Sequence, residues 1–505
     1  MKRRRFFETS LGAGFAGAAY ALSPSRFKHE PGGGTDADRP SREERFARHS
    51  QMGATETLAR FISEFRYEDL SPQAIEAAKI GLLDGVGVIL AGSTYQPLSA
   101  VMANYVREMG GAPRSSVAGW GFQTNPPFAA FANGVFGHAL DYEIQACAAP
   151  THGTSACLPS ALALGEDTGA SGRDIILAYV LGIEVQWRLR AAAAATGGQV
   201  QGFHPPGVVG PMGGAAAAAS VLGLDVEKTR MALGYAASRA GGVSANTGTF
   251  TKSTHPGDAA RMGVEAALLA QTGYTSNPNI LEARSGYVFT LMSDDIDWDL
   301  VTGGLGTDFI PRLVDPGFNI KRYPAQIFMQ TSIESVLNLR ETHGLRAEEV
   351  QHLTMETSRP GPGRPTPPSG LDGKFSIRYC ASAALLDGRV DIESFRDERR
   401  FAPDMEAMLP KVSLTSAPRN DEGARATALL NDGRTVSEEL IHYRGSCGNP
   451  MTREERLDKF RYCVSQRALS DQDSEELIGL LENLEAVDDI STVMDLMGTR
   501  APANL

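Results

Sequence analysis

The chain has 505 residues, five cysteines and a net charge of −12, with 42% hydrophobic and 21% charged residues. This composition supplies a large core over two or more domains and excludes a wholly disordered chain. The acidic balance excludes a general nucleic-acid binder, because phosphate recognition needs a basic face. Cys147, Cys157, Cys380, Cys447 and Cys463 are odd in number and form no C-x-x-C, so neither a zinc ribbon nor a disulfide framework is read from them.

In chain order, MKRRRFFETSLGAGFAGAAYALSP comes first. It has a basic head (Lys2 to Arg5), an apolar stretch from Leu11 to Leu22 and a small-x-small site at Ala19-Tyr20-Ala21. These three regions, in this order, predict an export signal over 1–21. Arg3-Arg4 followed by Phe6-Phe7 resembles a twin-arginine signal, which implies export of a folded protein to the periplasm. No later apolar run reaches the length of a membrane span, so no membrane association is expected after cleavage. Residues 22–49, with PGGGTDADRPSREERF, read as a flexible leader.

Residues 50–319 read as helical. Ser71 is a candidate N-cap with Pro72 at the first helical position, and Ile75, Ala78, Leu82 and Val86 follow at helical spacing. Residues 171–195 are apolar nearly all round, as a central buried helix is. Between 320 and 447 the character changes to a smaller α+β unit. VQHLTMETS (350–358) has strand composition, and Asn431-Asp432-Gly433 is a hairpin signal between two possible strands. Residues 448–495 return to helix, with acidic residues early and apolar residues at helical spacing. The expected fold class is therefore mostly α with a smaller, inserted α+β domain.

The stretch HALDYEIQACAAPTHGTSA (138–156) places His138, Asp141, Glu143 and His152 in a small, apolar context. It can be a metal site, a proton-transfer site or polar decoration of a loop. The H-x-x-D and H-x13-H spacings fit no compact ligand set, and H-E-x-x-H is absent, so no metal is expected. G-x-S-x-G, a P-loop and a dinucleotide fingerprint are also absent. His204 in GFHPPG, Lys252 and His255 in TKSTHPGDAARMG, and Lys321 in NIKRYPAQ lie beside turn-forming residues, where side chains can face a cleft.

FANGVFGHALDYE, THG, GFHPPGVVGPMGGAAAAASVLGLD, TKSTHPGDAARMGVEAALLAQTGY, NIKRYPAQ and GNPMTREERLDKF, in this order, resemble the MmgE/PrpD family from about residue 55 to 465. Members of that family dehydrate 2-methylcitrate, decarboxylate cis-aconitate or epimerise iminodisuccinate. The resemblance implies a helical domain built from both chain ends, an α+β lid domain, a homodimer and no metal or organic cofactor. It also implies an active site between the two domains for a small di- or tricarboxylate substrate. Asp141, His152, His204, Lys252 and Tyr379 match catalytic positions; Lys252, His255 and Lys321 match the surroundings of the substrate, where Gln145 and Gln326 stand in place of the family's residues as further candidates for substrate binding.

Lysines would hold carboxylates as point charges, and His152 or His204 would move a proton beside a carboxylate, with Asp141 orienting its partner and His204 or Tyr379 as a second acid. The chain departs from the family pattern at Ile144, Gln145 and Gly153, and in Pro324-Ala325-Gln326. Three functions stay open: a lyase (dehydratase or decarboxylase), an isomerase using the same proton abstraction, and a catalytically silent exported binding protein.

Overall fold

The computed structural model describes residues 41–498 except 148–150, 197–201, 293–295, 307–316, 359–363, 418–422 and 468. The expected export signal over 1–21 and the leader up to residue 40 lie outside the described residues. The last part of that leader, Arg42–His49, is a helix. Ser41 caps it through the Glu44 carboxylate, with its backbone N–H at 2.7 Å and its Oγ at 2.8 Å. Glu43 pairs with Arg284 at 2.5 Å, and the ring of Phe46 meets Phe289 edge-on. Local polarity read as a linker is thus outweighed by one cap and two long-range contacts.

The fold is mostly helical with a minor α+β part. Helix Pro72–Gly92 starts where its cap dictates: Ser71 Oγ accepts the Ala74 N–H at 3.1 Å, with Pro72 in the first turn. Helix Pro126–Ala139 repeats the device with Asn125 and the Phe128 N–H. Helix Gly172–Ala195 opens on a Ser171–Asp174 capping box and is buried along most of its length. Among the described residues no helix is long and apolar enough to cross a membrane.

Helix Phe250–Gln271 packs against both Pro126–Ala139 and Pro205–Val221. Glycine sets these approaches. A Cβ on Gly134 would stand 2.8 Å from the Cα of Gly257, and one on Gly263 would stand 2.3 Å from the carbonyl carbon of Gly214. The close approach brings the first turns of Phe250–Gln271, which carry Lys252 and His255, over the end of Pro126–Ala139, where His138 sits.

One core joins residues between Leu70 and Ala217 to Leu457–Met497, so it draws on both ends of the chain. A second gathers residues from Ala54 to Val301. A third, from Tyr323 to Leu430, lies under a four-stranded sheet. In that sheet Val350–Thr357 pairs in parallel with Val412–Ser416 and antiparallel with Ala424–Leu430, which pairs antiparallel with Thr435–Leu440. Ala424, Ala426, Ala428 and Leu430 alternate inward, and Gly433 takes φ 88° in the predicted hairpin turn.

Gln145–Ala146 pairs antiparallel with Phe318–Asn319. Beside this short ladder Cys147 and Cys447 form a disulfide, with Cα atoms 6.3 Å apart and a sequence separation of 300. This corrects the reading of the cysteines: spacing and parity reveal nothing about a pair that only the tertiary fold brings together. Cys157, Cys380 and Cys463 are free and buried.

Candidate active site

Helix Pro126–Ala139 ends at the turn that builds the site. Asp141 takes φ 50°, the left-handed region, which costs a non-glycine residue on the order of 1 kcal/mol. Its N–H bonds the His138 carbonyl at 3.1 Å. The chain then runs through Glu143 into the strand Gln145–Ala146 and returns at Thr151 and His152 to start helix Thr154–Thr168. His138 and Glu143 are 1% and 0% exposed, Asp141 2% and Lys321 0%, so their charges must be met inside the protein.

They are met in two linked groups. In the first, Asp141 bridges two lysines: Oδ2 accepts from Lys252 Nζ at 2.6 Å and Oδ1 from Lys321 Nζ. Lys321 also donates to the Asp141 carbonyl at 2.7 Å. In the second, Glu143 Oε1 meets His138 Nδ1 at 2.5 Å, His152 Nδ1 at 2.8 Å and Ser155 Oγ at 3.1 Å. Lys252 Nζ joins the groups, 2.5 Å from His138 Nε2. His204, at the start of helix Pro205–Val221, puts Nδ1 3.0 Å from Nδ1 of His255 and stacks its ring 5.5 Å from that of His138.

The partners fix the tautomers. An ammonium only donates, so Nε2 of His138 accepts from Lys252 and its Nδ1–H donates to Glu143. Nδ1–H of His152 donates to the same carboxylate oxygen, and the Gln145 carboxamide donates to Nε2 of His152 at 2.5 Å. Both imidazoles thus turn a lone pair away from Glu143. Burial, reinforced by the charge of Lys252, lowers His138 to about 4 against the pull of Glu143. Burial also lowers His152, and it lowers His255 to about 4 with help from Lys252. His204 is pushed down by burial and then by Lys252.

Burial alone would raise Asp141, but Lys252 and then Lys321 outweigh it and hold the carboxyl well below its ordinary range. Burial is likewise outweighed at Glu143, by His138 and His152. At neutral pH the site therefore holds two carboxylates, two lysines and neutral imidazoles. Among the described residues Glu143 Oε2, Gln145 Oε1 and Thr151 Oγ1 are buried without a hydrogen-bond partner, so acceptors and a hydroxyl remain open to a ligand.

Asp141, His152, His204, Lys252, His255, Lys321 and Gln145 come together here. Asp141 orients the two lysines, whereas the histidines are oriented by Glu143, to which sequence reasoning gave no role. His138 enters the sequence reading only as a metal ligand, although both residues stand in the stretch that carries the motif. Tyr379 is fully buried in the third core, and its hydroxyl donates to the Ser394 carbonyl at 2.5 Å. Gln326 caps helix Ile327–His343, half-buried, with its N–H on the Lys374 carbonyl. Ile144, one of the departures from the family pattern, packs with Ile320 and Met451 in a small apolar cluster.

Among the described residues, His138, His152 and His204 form the group that could hold a metal, with ligand atoms within 4.8 Å of one another. Lys252 competes for the lone pair of His138, and Gln145 for that of His152. The arrangement as it stands suits proton transfer beside anchored negative charge.

Residues 56–299 match the MmgE/PrpD N-terminal domain and residues 323–485 the MmgE/PrpD C-terminal domain. The chain is 31% identical over 477 residues to cis-aconitate decarboxylase of Mus musculus, covering 88% of this chain and 93% of that protein. It is 30% identical over 479 residues to cis-aconitate decarboxylase of Homo sapiens, covering 89% and 95%. It is 24% identical over 442 residues to 2-methylcitrate dehydratase of Cupriavidus necator, covering 80% and 88%.

Proposed function

The chain belongs to the MmgE/PrpD family, and on that premise we propose that it is a lyase acting on a small di- or tricarboxylate, without metal or organic cofactor. The observation that carries the reading is the buried Asp141 carboxylate held between Lys252 and Lys321, beside imidazoles held neutral by burial. Carboxylates of a substrate can share these two ammonium groups with Asp141. Both cations then stand where negative charge grows as a bond beside a carboxylate breaks. Lys252 is the proton donor, and in a dehydration or epimerisation, which also removes a proton from carbon, His152 presents Nε2 as the acceptor once Gln145 turns to the substrate.

Decarboxylation of an unsaturated tricarboxylate is the favoured form, supported by the greater identity to the decarboxylases. The bond to the departing carboxylate breaks, and its electron pair forms a new C=C. The old double bond takes up the proton from Lys252 at its far carbon, and carbon dioxide leaves. Proton NMR in heavy water with cis-aconitate and related carboxylates tests this. Expected are a lost carboxylate and deuterium at one carbon, both absent in Lys252→Ala. Dehydration or epimerisation of another panel member would move the chain to those reactions. Binding without turnover would make it a silent binding protein.

Export to the periplasm as a folded protein is part of the proposal. The order of basic, apolar and small residues at the N-terminus supports it, as does the Cys147–Cys447 disulfide, which fits an oxidising compartment. Fractionation that finds unprocessed protein in the cytoplasm would end this part. A homodimer is proposed from the family resemblance. The exposed stripe Val101, Tyr105 and Met109 on helix Leu98–Met109 supports it, and sedimentation tests it.

A further inference from the structure

The turn that carries Asp141 is held by charged side chains from four distant parts of the chain. Lys374 Nζ donates to the Ala139 carbonyl at 3.0 Å, Lys321 Nζ to that of Asp141 at 2.7 Å and Lys459 Nζ to that of Tyr142 at 3.0 Å. Asp84 completes the set. Its Oδ2 accepts the Ile144 N–H at 3.2 Å, and its Oδ1 pairs with Lys459 at 2.6 Å. Three carbonyls and one amide of residues 139–144 thus end on buried charged side chains.

Lys374 is the most unusual of these. It is 1% exposed, and among the described residues the one hydrogen bond of its ammonium is to the Ala139 carbonyl, with no carboxylate in contact. Its ammonium lies over the Tyr95 ring at 4.5 Å and the Phe395 ring at 5.8 Å, which supply weak cation–π support. Burial lowers it to about 7 against the charge of Asp141. A lysine kept in such a place costs stability, and aiming the turn gives a reason for it. The next residue, Phe375, faces Lys252 Nζ at 5.1 Å, so the same segment flanks both sides of the ion-paired Asp141. Lys459 lies in helix Arg453–Ser465, over the ring of Tyr142 at 4.0 Å.

We propose that Lys374 and Lys459 are positioning residues of this site: by holding the carbonyls of Ala139 and Tyr142 they keep Asp141 left-handed and its carboxylate between Lys252 and Lys321. The inference rests on the reading of this cluster as an active site. Neither residue touches the atoms assigned to binding or proton transfer, so each acts through the turn. Without either one, substrate still meets Lys252 and Lys321, but the turn no longer fixes the angle of Asp141.

The test uses Lys374→Met and Lys459→Met in the full chain, which keep the apolar stem and remove the donor. Turnover of cis-aconitate is measured, and hydrogen exchange is followed by mass spectrometry on peptides spanning 138–146. Expected are a loss of about 10–100-fold in kcat with KM within about threefold, and faster exchange confined to 139–145. Ethylamine added to Lys374→Ala should restore part of kcat. Unchanged kcat, or unchanged exchange at 139–145, overturns the proposal. Faster exchange along the whole chain with a collapsed unfolding midpoint also overturns it, in favour of a packing role. If the wild-type chain turns over no carboxylate in the panel, the lyase reading fails, and the exchange data alone decide the positioning claim.

Discussion

Glu143 organises two imidazoles with a single oxygen. Oε1 takes the Nδ1–H of His138 and of His152, and Oε2 has no partner among the described residues. A carboxylate here fixes both tautomers and raises both imidazoles against the lowering effect of burial. Glu143→Gln removes the charge and nearly conserves the shape. It should lower kcat by roughly 100-fold, the order that general acid–base catalysis contributes. The sign of the pH effect follows from the same contact. His152 is already below its ordinary value of 6.5, so the wild-type rate should be level above pH 6.5 and fall on the acid side as its imidazole takes up a proton and loses the lone pair that holds Gln145. Loss of Glu143 removes a raising influence, so the acid limb should move to still lower pH. A limb that stays in place or moves upward would mean that the titration of His152 does not set it.

Helices place these residues, and glycine places the helices. Lys252 and His255 reach His138 and His204 because Phe250–Gln271 lies close against two neighbours, with Gly263 facing Gly214. Gly263→Ala would set a Cβ 2.3 Å from backbone, which cannot turn aside as a side chain can. It should cost about 1–3 kcal/mol and lower activity as well, since the helix carries Lys252. Gly479→Ala is the control. That helical position meets nothing within 4 Å, so the change should be neutral or stabilising by up to about 1 kcal/mol. Equal unfolding midpoints for the two variants would show that close packing is not what holds the helix.

Elements of this kind were legible beforehand, because the Ser71 cap, the Asn431-Asp432-Gly433 hairpin and the all-apolar 171–195 segment are local signals. Contacts between remote residues were not. Lys321 and Asp141, 180 residues apart, were linked only through the family pattern. Glu143 gave no signal because a carboxylate five residues after a histidine has many uses. Lys374 and Lys459 act on main-chain carbonyls, which side-chain motifs do not describe.

At the scale of the whole molecule, the site depends on strands and loops from distant parts of the chain staying in register. The first core already joins the two ends of the chain, and the Gln145–Ala146 ladder ties the turn of Asp141 to the segment that leads to Lys321. The Cys147–Cys447 disulfide closes the same seam covalently, two residues from Gln145, while Cys447 N–H bonds Asn319 Oδ1 at 3.1 Å. A cross-link over such a long loop restricts the unfolded chain most, and removing it typically costs about 2–4 kcal/mol. The exported protein should therefore yield three titratable thiols on denaturation, Cys157, Cys380 and Cys463, and the same chain kept in a reducing cytoplasm should yield five. Its unfolding midpoint should fall on reduction by as much as it does in the double variant Cys147→Ser, Cys447→Ser. Five thiols in exported protein would mean that the ladder and the lysines hold the seam alone. Three thiols with an unmoved midpoint would mean that the bridge forms but constrains a chain already held by its neighbours.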